Sequence, residues 1–306
     1  MVKTIFLLLL TIIVLPLVAV KLDPISLSDL QKHMLLTSGF IALGAATLCI
    51  IVAELTKNYS QVDKIWSVIP VVYAVYFAYA SDWDPRVTVM AACALIWGAR
   101  LTYNFSRRGG YRWKFWEGEE DYRWEVLRQN SLFKGKPVNW KLFAVFFIGL
   151  YQNTLLWLIT LPAMMAYAGH DKPLQWSDYL LAALMIALVV TETVADQQQW
   201  NYQNEKYRLK QTGKLTGEYA DGFVKTGLWK YSRHPNYASE QSIWVVFYLF
   251  SVSATGAWIN WTMAGCLLLM VLFQGSADFS EGISMGKYPA YEEYIKRVGR
   301  FIPKIW

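Results

Sequence analysis

The stretch MLLTSGFIALGAATLCIIVAEL, residues 34–55, decides the fold class, because it carries a single charged residue, Glu54. A helix needs about 20 consecutive apolar residues to cross a hydrocarbon core roughly 30 Å thick. An apolar run of this length is typical of a transmembrane helix. The sequence therefore indicates an integral membrane protein.

The composition of the whole chain agrees with this interpretation. Its 306 residues are 55% hydrophobic, 17% charged and 16% aromatic, with a mean hydropathy of +0.24. These values exclude fibrous, disordered and disulfide-scaffold classes, and the aromatic content suits belts at both membrane faces. Cys49, Cys93 and Cys266 all lie in apolar runs without a CxxC pair. We therefore expect neither a disulfide framework nor a metal site.

Further apolar stretches predict an all-α, polytopic helix bundle with about seven or eight transmembrane helices. The first stretch could instead be a secretory signal peptide, so residues 1–20 stay open between the two. The third and last are too short for a full span unless they tilt or are buried. We expect one integral membrane domain over residues 1–306. The spans lie near residues 4–20, 34–55, 65–80, 86–104, 142–168, 179–196, 241–258 and 260–274.

The distribution of basic residues predicts the orientation of this bundle. Lys and Arg concentrate in residues 105–140, 197–237 and 287–304, which should therefore face the cytoplasm. The connectors near 21–33, 81–85 and 169–177 are poorer in these residues and should lie outside. Loop charge of this kind explains the net charge of +6 better than nucleic-acid binding does.

Two polar clusters stand at the edges of these spans. In TETVADQQQWNYQNEKYRLK, residues 191–210, Glu192 and Asp196 share one helical face and are followed by Gln203 and Arg208. This face could line a pocket, or the helix could simply leave the membrane early. In GLWKYSRHPNYASEQSIW, residues 227–244, several side chains suit a phosphorylated ligand with a flat ring, although a His beside Pro is often structural. These side chains are Trp229, Arg233, His234, Asn236, Tyr237 and Glu240.

Two weaker polar patches come earlier in the chain. WGARLTYNFSRRGG, residues 97–110, places Tyr103 and Arg108 where the fourth span runs into a basic loop. The positive-inside rule alone can explain Arg108, which we also consider as a cofactor-binding cation. QVDKIWSVIP places Asp63 before the third span, where an interfacial anchor is the favoured interpretation. The C-terminal KYPAYEEYIKRVGRFIPKIW predicts an interfacial helix or a lid.

These motifs resemble the steroid 5-alpha-reductase family, above all its mostly bacterial branch. The resemblance rests on GLW, SRHPNY with Glu240, the later Glu281 and KYPAYEEYIKRVGRFIP, and it covers residues 55–306. It implies a bundle that holds NADPH in a cytoplasm-facing cavity, mainly through residues 190–306. It also implies a lipid-like substrate that enters from the bilayer, and a bacterial inner-membrane location.

The resemblance also carries roles to individual residues. Trp229, Asn236 and Tyr237 match residues that line the cofactor site, and Glu240 matches the acidic residue that follows them. Arg233 and His234 are candidate cofactor contacts from their own chemistry, as a phosphate cation and a ribose or amide partner. Glu192 and Asp196 match contacts to adenosine, Gln203 and Arg208 match an element that grips phosphates, and Tyr288 matches a terminal KY pair. Three departures concern Asn204, which replaces a usual Lys, Trp97, which replaces a proton-donating Tyr, and a substrate-facing Glu without a clear counterpart.

The activity implied is an NADPH-dependent reduction of a conjugated carbon–carbon double bond in a steroid-like or other lipid. Tyr103 and Asp63 are the candidate acids that would supply the proton. A second reading is a membrane methyltransferase that uses S-adenosylmethionine, since the RHPxY element occurs there too. Those enzymes use paired glutamates, whereas Glu281 is followed by Gly282. A third is a receptor or scaffold that keeps the pocket without turnover.

Overall fold

The computed structural model describes residues 25–114 and 116–304, together with a few positions between 11 and 21. The predicted first span, residues 4–20, lies largely outside the described residues. Within the described part, every regular element is a helix, and an isolated bridge joins Ser232 to Gly299. The predicted all-α class is thereby confirmed.

The helices follow the predicted apolar stretches closely in the first half of the chain. They are α1 (Asp29–Thr56), α2 (Gln61–Ile65), α3 (Ile69–Ala80), α4 (Pro85–Arg107), α5 (Tyr122–Arg128), α6 (Pro137–Phe143), a π-helix (Ala144–Tyr151), α7 (Gln152–Leu158) and α8 (Leu161–Ala166). The second half continues with α9 (Trp176–Gln211), α10 (Pro235–Thr255), α11 (Met263–Lys287) and α12 (Ala290–Arg297).

Four helical segments in the described part are long and apolar enough to cross a membrane. These are Asp29–Thr56, Pro137–Gly169, Trp176–Gln211 and Met263–Lys287. On α1, the outward side chains Leu36, Phe40 and Leu55 are each more than half exposed, as expected of a surface that contacts lipid. The chain is therefore a helical, multi-pass membrane protein.

The last predicted span, residues 260–274, was wrong in its length. α11 runs without a break from Met263 to Lys287, so it is long enough to cross a membrane. The polar residues after 274 led the sequence prediction to end the span too early. As a result, Glu281 lies within a transmembrane-length helix rather than in a connector.

The described chain divides into two compact units. The first contains residues 1–183 and 245–269, and the second contains residues 184–244 and 270–306. The divisions fall inside α9, α10 and α11, so the chain passes between the units within helices. We describe each unit by itself.

A buried ion pair holds four segments of the first unit together. The Arg86 guanidinium donates to both oxygens of Asp178, with Nε–Oδ1 and Nη2–Oδ2 distances of 3.1 Å. It also donates to the carbonyl oxygens of Gly169 at 3.0 Å and Pro173 at 3.3 Å. The Ser253 hydroxyl donates to Asp178 Oδ1 at 2.9 Å. The beginning of α4, the loop before α9, α9 itself and α10 thus meet at one carboxylate.

Replacing Arg86 with Ala should destabilise the protein strongly, because Asp178 would stay buried without its counter-charge. Removing one partner of a buried ion pair costs about 3–5 kcal/mol. The measurement is the free energy of unfolding in mixed micelles. Lys32→Ala is the control, since it breaks an exposed ion pair to Asp29 that water and salt screen, so stability should hardly change. Equal effects of the two substitutions would contradict the organising role of Arg86.

Candidate functional site

The SRHPNY motif of the second unit is joined to the C-terminal segment by backbone hydrogen bonds. Arg233 N donates to Gly299 O at 2.9 Å and His234 N donates to Arg300 O at 3.0 Å. The Ser232 hydroxyl also donates to Arg300 O at 2.9 Å. The two motifs that carry the family resemblance therefore form one structure, although Ser232 and Arg300 lie 68 residues apart in sequence.

The Glu281 carboxylate is the centre of this structure, and it is almost completely buried. Its Oε1 accepts from Arg233 Nε at 2.8 Å and lies 3.0 Å from His234 Nε2. Its Oε2 accepts from Arg233 Nη2 at 3.3 Å and from Arg300 Nη2 at 2.8 Å. The sequence did not predict Glu281 as a site residue. An acidic residue shortly after a long apolar run was the signal that could have found it.

The Arg233 guanidinium donates its hydrogen bonds to acceptors within the protein. Besides its two bonds to Glu281, its Nη1 donates to the carbonyl oxygens of Ile295, at 3.3 Å, and Val298. The side chain is buried, so the guanidinium fixes α12 against the motif. If Arg233 bound the phosphate of a ligand, as the sequence suggested for this cluster, these bonds would have to break.

Two neighbouring residues of the motif, Asn236 and Tyr237, have fixed partners in the second unit. Asn236 Nδ2 donates to Asp196 Oδ1 at 3.1 Å, which links α10 to α9. The Tyr237 ring stacks on the His234 ring, with 5.1 Å between centroids and 15° between planes. Phe273 meets the same tyrosine edge-on at 4.7 Å. These contacts fix the orientation of an amide, an imidazole and a phenol.

Trp229 and Glu240 are both buried and bonded within the protein. Trp229 Nε1 donates to Ala195 O at 3.1 Å, and its ring packs with Tyr202 and Val224. Glu240 Oε1 accepts from Trp244 Nε1 at 3.0 Å. Trp229 therefore fixes the segment before α10 to α9, whereas the bond of Glu240 lies within α10.

A polar stripe runs along α9. Glu192, Asp196, Gln199 and Gln203 recur three or four residues apart, which places them on one helical face. Gln199 was absent from the predicted set, yet its Oε1 is shielded from solvent and has no hydrogen-bond partner. A buried acceptor in this condition is available to a ligand that donates a hydrogen bond.

The cytoplasmic end predicted for α9 carries cations. The Arg208 side chain is 66% exposed and pairs with Glu205 at 2.6 Å. Lys206 Nζ donates to Gly222 O at 2.9 Å and lies 5.6 Å from the centroid of the Tyr288 ring. A Cβ on Gly222, whose φ is +86°, would lie 2.1 Å from that ring. Glycine therefore allows the backbone to approach Tyr288 closely.

Asp63, Tyr103 and Arg108 belong to the first unit. The Tyr103 side chain is 68% exposed on α4, and Arg108 follows as the C-cap residue of that helix. Asp63 lies in α2, where its Oδ2 is shielded from solvent without a hydrogen-bond partner. Burial and then the nearby Asp121 carboxylate raise the pKa of Asp63 to about 6. Burial of the Asp63 carboxyl therefore favours its protonated form.

Around Asp63, the segment after α1 is fastened to the loop before α5. Tyr59 N donates to Glu120 Oε1 at 2.8 Å, and Asp121 N donates to Ser60 Oγ at 2.9 Å. The buried Lys64 donates to Glu117 O at 2.8 Å. Burial lowers the pKa of Lys64. This network fixes the backbone on both sides of Asp63.

The fold and the site together define the class: a helical, multi-pass membrane protein with a buried polar centre in its second unit. Residues 49–298 match the family described as "Protein of unknown function (DUF1295)", and the chain belongs to that family. A Schizosaccharomyces pombe protein, "Uncharacterized protein C594.04c", is 38% identical over 262 residues, covering 82% of this chain and 74% of that protein. No solved structure matches. Within the described residues, no group of three His, Cys, Asp or Glu could hold a metal ion.

Glu281→Gln should destabilise the second unit, because Arg233 would remain buried without a carboxylate. The expected cost is about 3–5 kcal/mol in the free energy of unfolding. Asp278→Asn is the matched control, since Asp278 lies on the same helix and also pairs with Arg300 but is 64% exposed. Its loss should cost at most about 1 kcal/mol. A Glu281→Gln protein as stable as the control would contradict the central role of Glu281.

Asp63 should make the protein less stable as the pH rises through the range from 3.8 to about 6. In that range the folded protein binds the Asp63 proton more tightly than the unfolded chain does, so deprotonation favours unfolding. Asp63→Asn should remove this part of the pH dependence of the melting temperature. Asp171→Asn, at an exposed position, is the control and should leave the pH dependence of the melting temperature unchanged. An unchanged profile in Asp63→Asn would show that its pKa is not raised.

Proposed function

We propose that this protein is a membrane-embedded reductase that uses NADPH to reduce a conjugated carbon–carbon double bond of a lipid. In this proposal seven or eight helices span the membrane, and the cofactor cavity opens to the cytoplasm. The lipid-like substrate, steroid-like or otherwise, reaches the protein from the bilayer.

The observation that carries the proposal is the fixed group around Asn236. Asn236, His234 and Tyr237 are oriented by Asp196, Glu281 and a stacking contact. They occupy the positions that the resemblance assigns to the cofactor site. An amide and an imidazole beside an aromatic ring suit recognition of a ribose and a carboxamide. Orientation by buried partners is what a binding site for such a ligand requires.

The residues of the second unit fit a dinucleotide in two further respects. The unpartnered Gln199 Oε1 lies on the polar stripe of α9 and could accept a bond from a ribose hydroxyl. Further along the same helix, Lys206, Arg208 and Lys210 supply the positive charge that phosphates need. Arg233 is not assigned to phosphate in this proposal, because it is engaged by Glu281. Its role is to orient the motif.

The chemistry divides between cofactor and protein. When bound, NADPH supplies the hydride, which adds to one carbon of the double bond, and a proton must reach the other carbon. The protein residues hold the ring in place and keep water away, which determines whether the transfer is productive. The source of the proton stays a prediction, with Asp63 and Tyr103 as the candidates.

The proposal predicts that NADPH raises the melting temperature of the purified protein and that S-adenosylmethionine does not. A ligand at 100 times its dissociation constant adds about 2.7 kcal/mol of stability. Asn236→Ala should abolish the NADPH shift, because it removes the amide and releases Asp196. A shift with S-adenosylmethionine alone would overturn the reductase and favour a methyltransferase.

Two variants sharpen this experiment. Tyr231→Ala is the control, since Tyr231 belongs to the same segment but is more than half exposed, and it should keep the full shift. Arg208→Ala should weaken NADPH more than NADH if its guanidinium reaches the 2′-phosphate. Equal weakening would assign Arg208 to the pyrophosphate. Binding retained in Asn236→Ala would remove the proposed site.

A further inference from the structure

A surface loop of the first unit, residues 109–119, leaves the chain shortly after α4 and returns to its own starting point. Its neck is closed where Glu119 N donates to Gly109 O at 3.3 Å. Gly118 has a φ of +135°, and a Cβ there would lie 2.4 Å from Gly110 O, so only glycine allows the two sides of the neck to pass this closely. This geometry is that of an Ω-loop, a compact kind of loop that is frequently functional.

The base of this loop is fastened to the segment that follows α1. On the first side of the loop, Tyr111 OH donates to Lys64 O at 2.6 Å. On the second side, three side chains of the segment donate to backbone carbonyl oxygens of the loop at 2.8–3.1 Å. The donor and acceptor pairs are Lys64 with Glu117, Gln61 with Trp116, and Asn58 with Gly118. Both sides are therefore held, which fixes the position of the tip between them.

The tip of the loop consists of Arg112, Trp113 and Lys114, which are all exposed. Trp113 packs against almost nothing, since its relative exposure is 102%. Lys114 pairs with Glu117 at 3.3 Å on the exposed surface, so Arg112 is the tip cation on which the electrostatic argument rests. A tryptophan between two cations is the composition of a segment that lies in the headgroup region of a membrane.

The loop lies at the level where membrane helices end. α1 is long and apolar enough to cross a membrane, and Leu55 in its last turn is 79% exposed, as expected of a side chain that contacts lipid. Asn58, which holds the loop, follows directly after this helix. On α4, the Phe105 ring meets the Tyr111 ring edge-on, with 5.1 Å between centroids. Trp113 is at most about 7 Å of chain beyond Tyr111, so the tip lies close to the same level.

We propose that this loop inserts Trp113 into the headgroup region of the membrane and binds the phosphate of an anionic phospholipid through Arg112. Charge selects the anionic lipid, because residues 105–116 include four basic and no acidic side chains, whereas a zwitterionic headgroup adds an ammonium that these cations repel. The indole combines an apolar ring with an N–H donor, which suits the boundary between acyl chain and headgroup. The site is independent of the proposed reductase, because it needs neither the second unit nor NADPH.

The test follows the fluorescence of Trp113 itself, taken as the emission of the natural protein minus that of Trp113→Leu. The full-length protein is placed in vesicles in which either phosphatidylglycerol or phosphatidylcholine carries bromine atoms near the start of its acyl chains. Brominated phosphatidylglycerol should quench this emission more strongly, and the two quenching curves give the relative association constant of the two lipids at the tip. Arg112→Gln, measured against its own Trp113→Leu version, should lower that constant about fivefold. This corresponds to about 1 kcal/mol, the contribution of one basic side chain near an anionic surface.

Lys32→Gln is the matched control, since it removes an exposed cation at the opposite end of α1. Lys32 and Thr56 lie about 36 Å apart along the helix at 1.5 Å per residue, well beyond the Debye length of about 8 Å. The relative association constant should therefore stay unchanged. An equal loss in Lys32→Gln, or equal quenching by the two lipids in the natural protein, would overturn the proposal.

Acrylamide, a quencher dissolved in water, decides whether the tip lies in the membrane. Trp113 should be shielded from acrylamide in vesicles and accessible to it in the Arg112→Gln, Lys114→Gln double variant, which lacks both tip cations. Trp113 and Arg112 are exposed, so these substitutions leave the packing of the loop unchanged. Full quenching of the natural protein by acrylamide, with none by the brominated lipids, would assign the tip to a partner in solution and overturn the proposal.

Discussion

Charges buried in this protein have to be neutralised by the protein itself, and the Arg86–Asp178 pair shows how much structure that requires. One carboxylate accepts from a guanidinium and a hydroxyl, while the guanidinium also reaches two backbone carbonyls. Such a pair gains little net stability over an apolar contact, since desolvation offsets most of the attraction. Its consequence is geometric: the ends of four segments have only one arrangement in which all these donors and acceptors are met.

In the second unit, the buried charge that must be neutralised is the Glu281 carboxylate. Two guanidinium groups and an imidazole share its two oxygens, and each comes from a different part of the motif or the C-terminal segment. The arrangement determines which residues remain for a ligand. Arg233 donates to Glu281 and to backbone carbonyl oxygens. Asn236 instead donates to Asp196, and Tyr237 stacks on His234. The SRHPNY motif thus combines a residue that organises the fold, Arg233, with residues that the proposed function assigns to the cofactor, Asn236 and Tyr237.

The sequence predicted the helices well where an apolar run had a clear end, as in residues 34–55. It failed for α11, because polar residues such as Asp278 and Glu281 look like a connector until their partners are known. Those partners are Arg300 and the Arg233–His234 pair, about 20 to 50 residues away in the chain. The π-helix was also missed, since a periodicity search distinguishes 3.6 from 2.0 residues but does not detect one inserted residue.

The charged groups of the two buried ion-pair centres have partners, whereas some other buried polar atoms have none. Arg86, Asp178, Arg233 and Glu281 are buried with their bonds complete. Gln199 Oε1 and Asn153 Oδ1 are shielded acceptors without a donor. In hydrocarbon, water is scarce, so an acceptor of this kind is costly unless something that binds there completes it. Gln199 lies on the polar stripe of α9 and Asn153 lies in α7. Their surroundings therefore differ: Gln199 Oε1 lies among polar side chains, whereas Asn153 Oδ1 lies among apolar ones.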